Sequence, residues 1–518
     1  MHVQPARSLP GGLLALALCL GPGAADAQVP LIEAIKRTDL AAARDLLDRG
    51  ADVDAPELDG TTALHWAVHR DDGEAADLLL RAGADVSAAN RYGVAPIALA
   101  CTNGSVAMVQ RLLAAGADAN RSQHEGETAL MTAARTGRVE VVRLLLDHGA
   151  DVNAAEQWRG QTALMWAAAE GHAAVVRTLV DHGADVSVRS GAPGDPDADL
   201  SPPAGDAGVG ATGTESPRSG FSAFLFAARG GHLEAARILA DAGADVDDTA
   251  PDGSSALIVA THNRNYELAA WLLERGADPR AEGPGWTALH AAVLAHRPHY
   301  RVVPELAPTG DLDSFGLIEA LAAHGADPNA PSSKRIRLAE QTGPLFATLG
   351  ATPFLLAAIA ADAEVMRLLL AHDADPNLTT PAGSTALMAA AGAATYASQG
   401  AGSEADAHEA VQLLLDLGVD VNQADDAGNT ALHGAANRGA NSVIELLLEH
   451  GAQLDAANKQ GWLPVTIAQG PVDAIEPFYE TYEFLRDLMA EAGLTVPDCP
   501  QCALGFVTGV APAPAPDR

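Results

Sequence analysis

Two cysteines three residues apart, in Cys499-Pro-Gln-Cys502, are the residues of this 518-residue chain whose spacing most directly suggests chemistry. In an oxidising compartment such a pair closes a small disulfide. It is also half of a zinc site, and thiols at this spacing can exchange disulfides. Ala503 follows Cys502 where covalent haem attachment needs histidine. The pair lies beside a Pro/Ala-rich tail and not at a helix start in a thioredoxin-like unit. That setting favours a structural disulfide and leaves zinc, redox exchange and free thiols as alternatives. Cys101 falls in a helical repeat segment and reads as buried and inert.

The chain has 17 histidines, which could act as bases or ligands. Most recur at fixed places: His65, His290 and His433 at one kind of helix start, His172 and His232 after a turn, and His148, His182, His324, His372 and His450 before a loop. Asp52, Asp85, Asp151 and Asp185 recur in the same way. Residues that return once per unit are scaffold, not paired catalytic acids. No HExxH, GxSxG, P-loop or strand-bound GxGxxG occurs, and no nucleophile with base and orienter can be assembled from motifs. The expectation is a protein that is not an enzyme, with no cofactor, metal or catalytic residue.

The elements that carry these residues are repeats. TTALHWA at Thr61 to Ala67 returns as TALMTAA, TALMWAA, TALHAAV and TALHGAA from Thr128, Thr162, Thr287 and Thr430. Each is followed by a Leu-rich stretch, and Gly-Ala-Asp is the usual close. The marker position falls at Thr62, Ala95, Thr128, Thr162, Ser222, Ser255, Thr287, Thr352, Thr385, Thr430 and Leu463, giving spacings of 33, 33, 34, 60, 33, 32, 65, 33, 45 and 33. Thr or Ser here can cap a helix by accepting a backbone N–H, and the next position tolerates proline, as at Pro96, Pro353 and Pro464. Leucine triplets such as Leu144 to Leu146 give a second helix its apolar face, and Gly83, Gly149 and Gly451 end it.

Motifs and period together resemble the ankyrin-repeat family over roughly residues 28 to 490, in an exported bacterial form. Thr-Ala-Leu-His and Thr-Ala-Leu-Met mostly replace that family's Thr-Pro-Leu-His. The resemblance implies an all-α solenoid of about twelve helix-turn-helix units, with histidines that hydrogen-bond neighbouring loops. One pair cannot bury its apolar face alone, so units stack. The units from Leu31 and from Gly461 look like end caps.

Four long spacings mark insertions. Residues 189–219, rich in Gly, Pro, Asp and Ser, read as disordered, and 331–350 leaves from the equivalent loop. Residues 297–313 and 393–405 fall between the two helices of one unit. Lys334, Arg335 and Arg337 make 331–350 unusually basic, either to dock an acidic partner or to balance neighbouring acids.

With 32 Lys+Arg against 67 Asp+Glu, the charge of −35 excludes nucleic acid and anionic membranes as partners. Arg7, the apolar run Leu13 to Leu20 and Ala25-Asp26-Ala27 read as a signal peptide, residues 1–27, cleaved near Ala27. The run is too short to span a bilayer, so no membrane insertion is expected after cleavage. The product would be periplasmic or secreted, ending in the 491–518 tail with its cysteine pair.

The resemblance implies binding of another protein through loop tips and the concave face of the first helices. Aromatics supply candidate anchors: Tyr92, Trp158, Trp286 and Trp462 in the loops, and Trp66, Trp166 and Phe226 at one shared position of the first helix. The alternative from another class is an accessory subunit of a periplasmic redox enzyme using the Cys499/Cys502 pair.

Overall fold

The computed structural model describes residues 30–191, 220–296, 310–336, 345–394, 402–470 and 477–497, together with Cys499 and Cys502. Residues 1–27, Arg337 and most of the insertions at 189–219 and 297–313 lie outside that set. The chain divides into two compact units, residues 1–124 and 125–518.

The described part of the first unit holds three helical pairs, Pro30–Lys36 with Leu40–Asp48, Ala63–His69 with Gly73–Arg81, and Pro96–Asn103 with Val106–Ala114. The described part of the second holds nine, from Ala129–Arg135 with Val139–Asp147 to Pro464–Ala468 with Tyr479–Glu491. Each is one helix-turn-helix repeat of an all-helical solenoid, and no strand forms among the described residues beyond isolated bridges.

Helices of seven residues are too short to persist alone in water, so capping and burial must hold them. Marker hydroxyls do the first: Thr128 accepts from Met131 N at 3.3 Å, Ser222 from Leu225 N at 3.2 Å and Thr385 from Met388 N at 3.1 Å. Pro96, Pro353 and Pro464 open helices where no N–H is needed. First helices are buried on nearly all sides, as from Ala223 to Ala228, where the helix lies between its own second helix and the first helices of both neighbouring repeats. Second helices bury one stripe, such as Val141, Val142 and Leu145, and leave Glu140 and Asp147 in water.

Gly149 ends its second helix at φ +83°, with open space where a Cβ would stand, so backbone conformation alone demands glycine there. Asp373 takes the same role at φ +67°, one of the residue types that tolerates it. The following aspartates bend the loop by accepting a backbone N–H two residues on: Asp85 from Ser87, Asp151 from Asn153 and Asp185 from Ser187, at 2.8–3.0 Å. The turn residue then accepts from the next repeat, as when Asn153 Oδ1 receives Asp185 N at 2.8 Å. The recurrent acids are therefore structural.

Candidate functional site

Three histidines of the first helices, His65, His290 and His433, are committed to the stack. His290 Nδ1 accepts from Thr287 N at 3.2 Å and lies 2.8 Å from Thr287 Oγ1, while Nε2 meets the Ala351 carbonyl of the next repeat at 3.1 Å. That pattern assigns the N–H to Nε2. His65 and His433 repeat it, reaching Val94 O and Trp462 O at 3.0 Å. Burial lowers all three below the ordinary histidine value, His290 to about 4, so they are neutral near pH 7.

Between the repeats stand finger loops, joined to each other by backbone bonds such as Gln157 N to Glu125 O at 2.6 Å and Asp426 N to Ala382 O at 2.8 Å. In three of the described fingers the residue five positions before the marker is Asn90, Asp425 or Asn458, and its side-chain oxygen accepts two backbone N–H groups. Asn90 receives Tyr92 N and Val94 N, and Asn458 receives Gln460 N and Trp462 N. The finger before Thr162 is one residue longer, which accounts for the 34-residue spacing there. Glu156 fills it. Its buried carboxylate accepts Trp158 N at 2.6 Å, Arg159 N at 2.8 Å and Gln161 N at 3.1 Å. Gly160 closes the turn at φ +60°, where a Cβ would stand 2.5 Å from Gly191 O. The cage projects Trp158, 62% exposed, with the Arg159 guanidinium 4.1 Å from its ring centroid. The sequence offered the extra residue as a signal, but not the cage.

The other aromatics divide by environment. Tyr92 is 54% exposed with Arg91 over its ring. Trp66 and Phe226 are only 8% and 5% exposed. Trp66 Nε1 donates to Glu57 Oε2 at 2.9 Å beneath Lys36, so repeat packing covers the ring. Phe226 packs 5.5 Å from Phe221 under Arg229. Trp166 is half-buried beneath Arg135, and its Nε1 has no acceptor. Trp286 is half-buried too, and Lys334 on the adjoining finger packs against its neighbour Gly285. Lys334 and Arg335 are exposed.

One constellation escaped sequence reasoning because the insertion at 297–313 separates its members. Ser314 Oγ lies 2.7 Å from His296 Nδ1, and His296 Nε2 lies 3.4 Å from Asp362 Oδ2. The order is that of a nucleophile relay. Yet Asp362, 2% exposed, also caps the next helix through Val365 N, and the Gly316 N–H beside Ser314 is taken by Asp313. The histidine ties together two helices that the insertion interrupts.

Cys499 and Cys502 are joined by a disulfide, with Cα atoms 5.5 Å apart. Cys101 is fully buried, which pushes its thiol up to about 12. Among the described residues no group of three or more His, Cys, Asp or Glu could hold a metal ion, and no helix is long and apolar enough to cross a membrane.

Family models for ankyrin repeats match residues 14–190 and 207–332 in overlapping three-repeat blocks, then 349–381 and 396–482. The chain belongs to the ankyrin-repeat family, whose members serve in general as protein-binding scaffolds and are typically non-enzymatic. It is 36% identical over 117 residues to ankyrin repeat and SOCS box protein 16 of Mus musculus, 23% of this chain and 25% of that protein. It is 39% identical over 72 residues to protein phosphatase 1 regulatory subunit 27 of Homo sapiens, 14% and 42% of the two chains. The matches thus span less than half of either relative. The crystal structure of the human ASB11 ankyrin repeat domain aligns with 24% identity and a TM-score of 0.39, covering 49% of this chain and 100% of that one. These relatives are eukaryotic and do not carry the expectation of an exported bacterial type.

Proposed function

We propose that the chain is an exported scaffold or regulator that holds another protein against its finger tips and the groove face of its first helices. The observation that carries this reading is the Glu156 cage, which commits a buried carboxylate to presenting Trp158 and Arg159. Large aromatic and arginine side chains held rigidly in water are the groups that dominate interface energetics. The phosphatase subunit among its relatives is, by name, regulatory. Export rests on the leader-like residues 1–27, and an extracytoplasmic setting suits the Cys499–Cys502 disulfide.

Affinity capture of the tagged protein from the cells that make it, with and without Trp158→Ala and Trp286→Ala, tests the reading. A protein retained by the parent and depleted in the double variant supports it. Equal recovery with both removes the fingers from the interface. The disulfide also favours a second reading, an accessory subunit of a redox enzyme. Loss of the partner enzyme's activity in Cys499→Ser/Cys502→Ser, with fold and capture intact, would select it.

A further inference from the structure

At the face built by the fingers and first helices of Ala163–Ala169 and Ala223–Gly230, two arginines have no carboxylate partner among the described residues. Several arginines elsewhere meet carboxylates, as Arg111 does Asp77, Arg275 Asp241 and Arg367 Glu409. Arg159 and Arg229 meet only rings among the described residues. Arg159 stacks on Trp158, while Arg229 lies 5.4 Å from the Phe221 ring and 5.0 Å from that of Phe226.

Backbone bonds bring the two together. Arg159 O accepts Gly191 N, and the adjacent Ser190 N donates to Phe221 O at 2.8 Å, so the Ser190–Gly191 segment links the Arg159 and Phe221 fingers. The two first helices pack directly, which sets Trp166 and Phe226 at the same helical position on neighbouring repeats. Burial, and then the charge of Arg159, lower the Arg229 pKa from its ordinary value, so the two cations lie within electrostatic reach of each other. The Trp166 Nε1 donor lacks an acceptor. Arg159 and Arg229 thus stand together over aromatic rings, while the neighbouring Arg135 and Arg189 are already paired with Glu127 and Asp248.

We infer that this face is a docking site for an acidic peptide segment of a protein partner, in which carboxylates engage the Arg159 and Arg229 guanidinium groups and a flanking apolar side chain packs on the exposed Trp158 ring. Guanidinium groups pair with carboxylates in bidentate fashion, and half-burial strengthens the pairing. The net charge of −35 repels long polyanions, whereas two or three carboxylates on a short segment suit two fixed cations. The inference deepens the scaffold reading and rests on it.

The test is fluorescence anisotropy of the full chain with a labelled peptide alternating glutamate with leucine and phenylalanine. Parallel titrations use the same peptide with lysine for glutamate and with phosphoserine for glutamate. Arg159→Gln/Arg229→Gln is compared with the parent and with Arg177→Gln, an exposed arginine on the outer helix of the same unit. Far-UV circular dichroism checks the fold, and Arg159→Lys/Arg229→Lys keeps charge while removing the planar forks. The expected result is saturable binding of the glutamate peptide, at least tenfold weaker in the Gln pair, intermediate in the Lys pair and unchanged in Arg177→Gln. Equal binding of the lysine peptide, indifference to the Gln pair, or a phosphoserine peptide bound much more tightly overturns it. If the peptide fails while cellular capture still depends on Trp158, the scaffold reading stands and this inference alone falls.

Discussion

Lowering the pH should unfasten repeats at their buried histidines, and His290 gives the magnitude. Its ring is 0% exposed and held neutral between Thr287 and the Ala351 carbonyl. Unfolding returns it from about 4 to the ordinary histidine value of 6.5. The unfolded chain therefore binds a proton between those values that the folded chain refuses, and stability falls as pH drops below 6.5. It is complete above that value. The gap corresponds to about 3 kcal/mol once pH reaches the folded pKa, and to roughly 2 kcal/mol at pH 5. His65 and His433 add in the same direction. Urea unfolding at pH 7.5 and pH 5.0, with amide exchange across 287–293 as the local probe, should show the parent losing more than His290→Gln by about that amount. Identical pH dependence in the two, or an NMR titration of His290 near 6.5, would refute the reasoning.

Glu156→Ala leaves three backbone N–H groups without their acceptor and should cost about 2–4 kcal/mol locally, read as faster exchange at Trp158, Arg159 and Gln161 and a more mobile Trp158 by fluorescence anisotropy. Gly160→Ala meets both a left-handed backbone and the Gly191 carbonyl, and should destabilise the finger by roughly 1–3 kcal/mol with a lower thermal midpoint. Leu145→Ala in the stacked stripe, 0% exposed, should cost about 2–5 kcal/mol, with exchange rising in the neighbouring repeats and not only its own.

The repeat architecture was legible because period and capping chemistry coincide. Thr128, Ser222 and Thr385, chosen from spacing alone, cap the helices they mark. Recurrent histidines and aspartates carried the correct physical reading as scaffold, since a group needed in every repeat serves the stack. Environment was harder to read. Trp66, Trp166 and Phe226 share a sequence position, yet Glu57 and Lys36 cover the first and Arg135 sits over the second. That cover comes from finger and helix residues whose identity varies by repeat. The Arg159 and Arg229 pair and the His296 tie were invisible because an insertion separates the members in sequence while stacking joins them in space.

Hydrogen–deuterium exchange of the chain with its captured partner tests the central claim most directly. Protection should concentrate in the fingers and first helices, at 156–168 and 220–230, while the outer second helices 173–181 and 233–241 exchange as in the free chain. Protection confined to those outer helices would contradict the account.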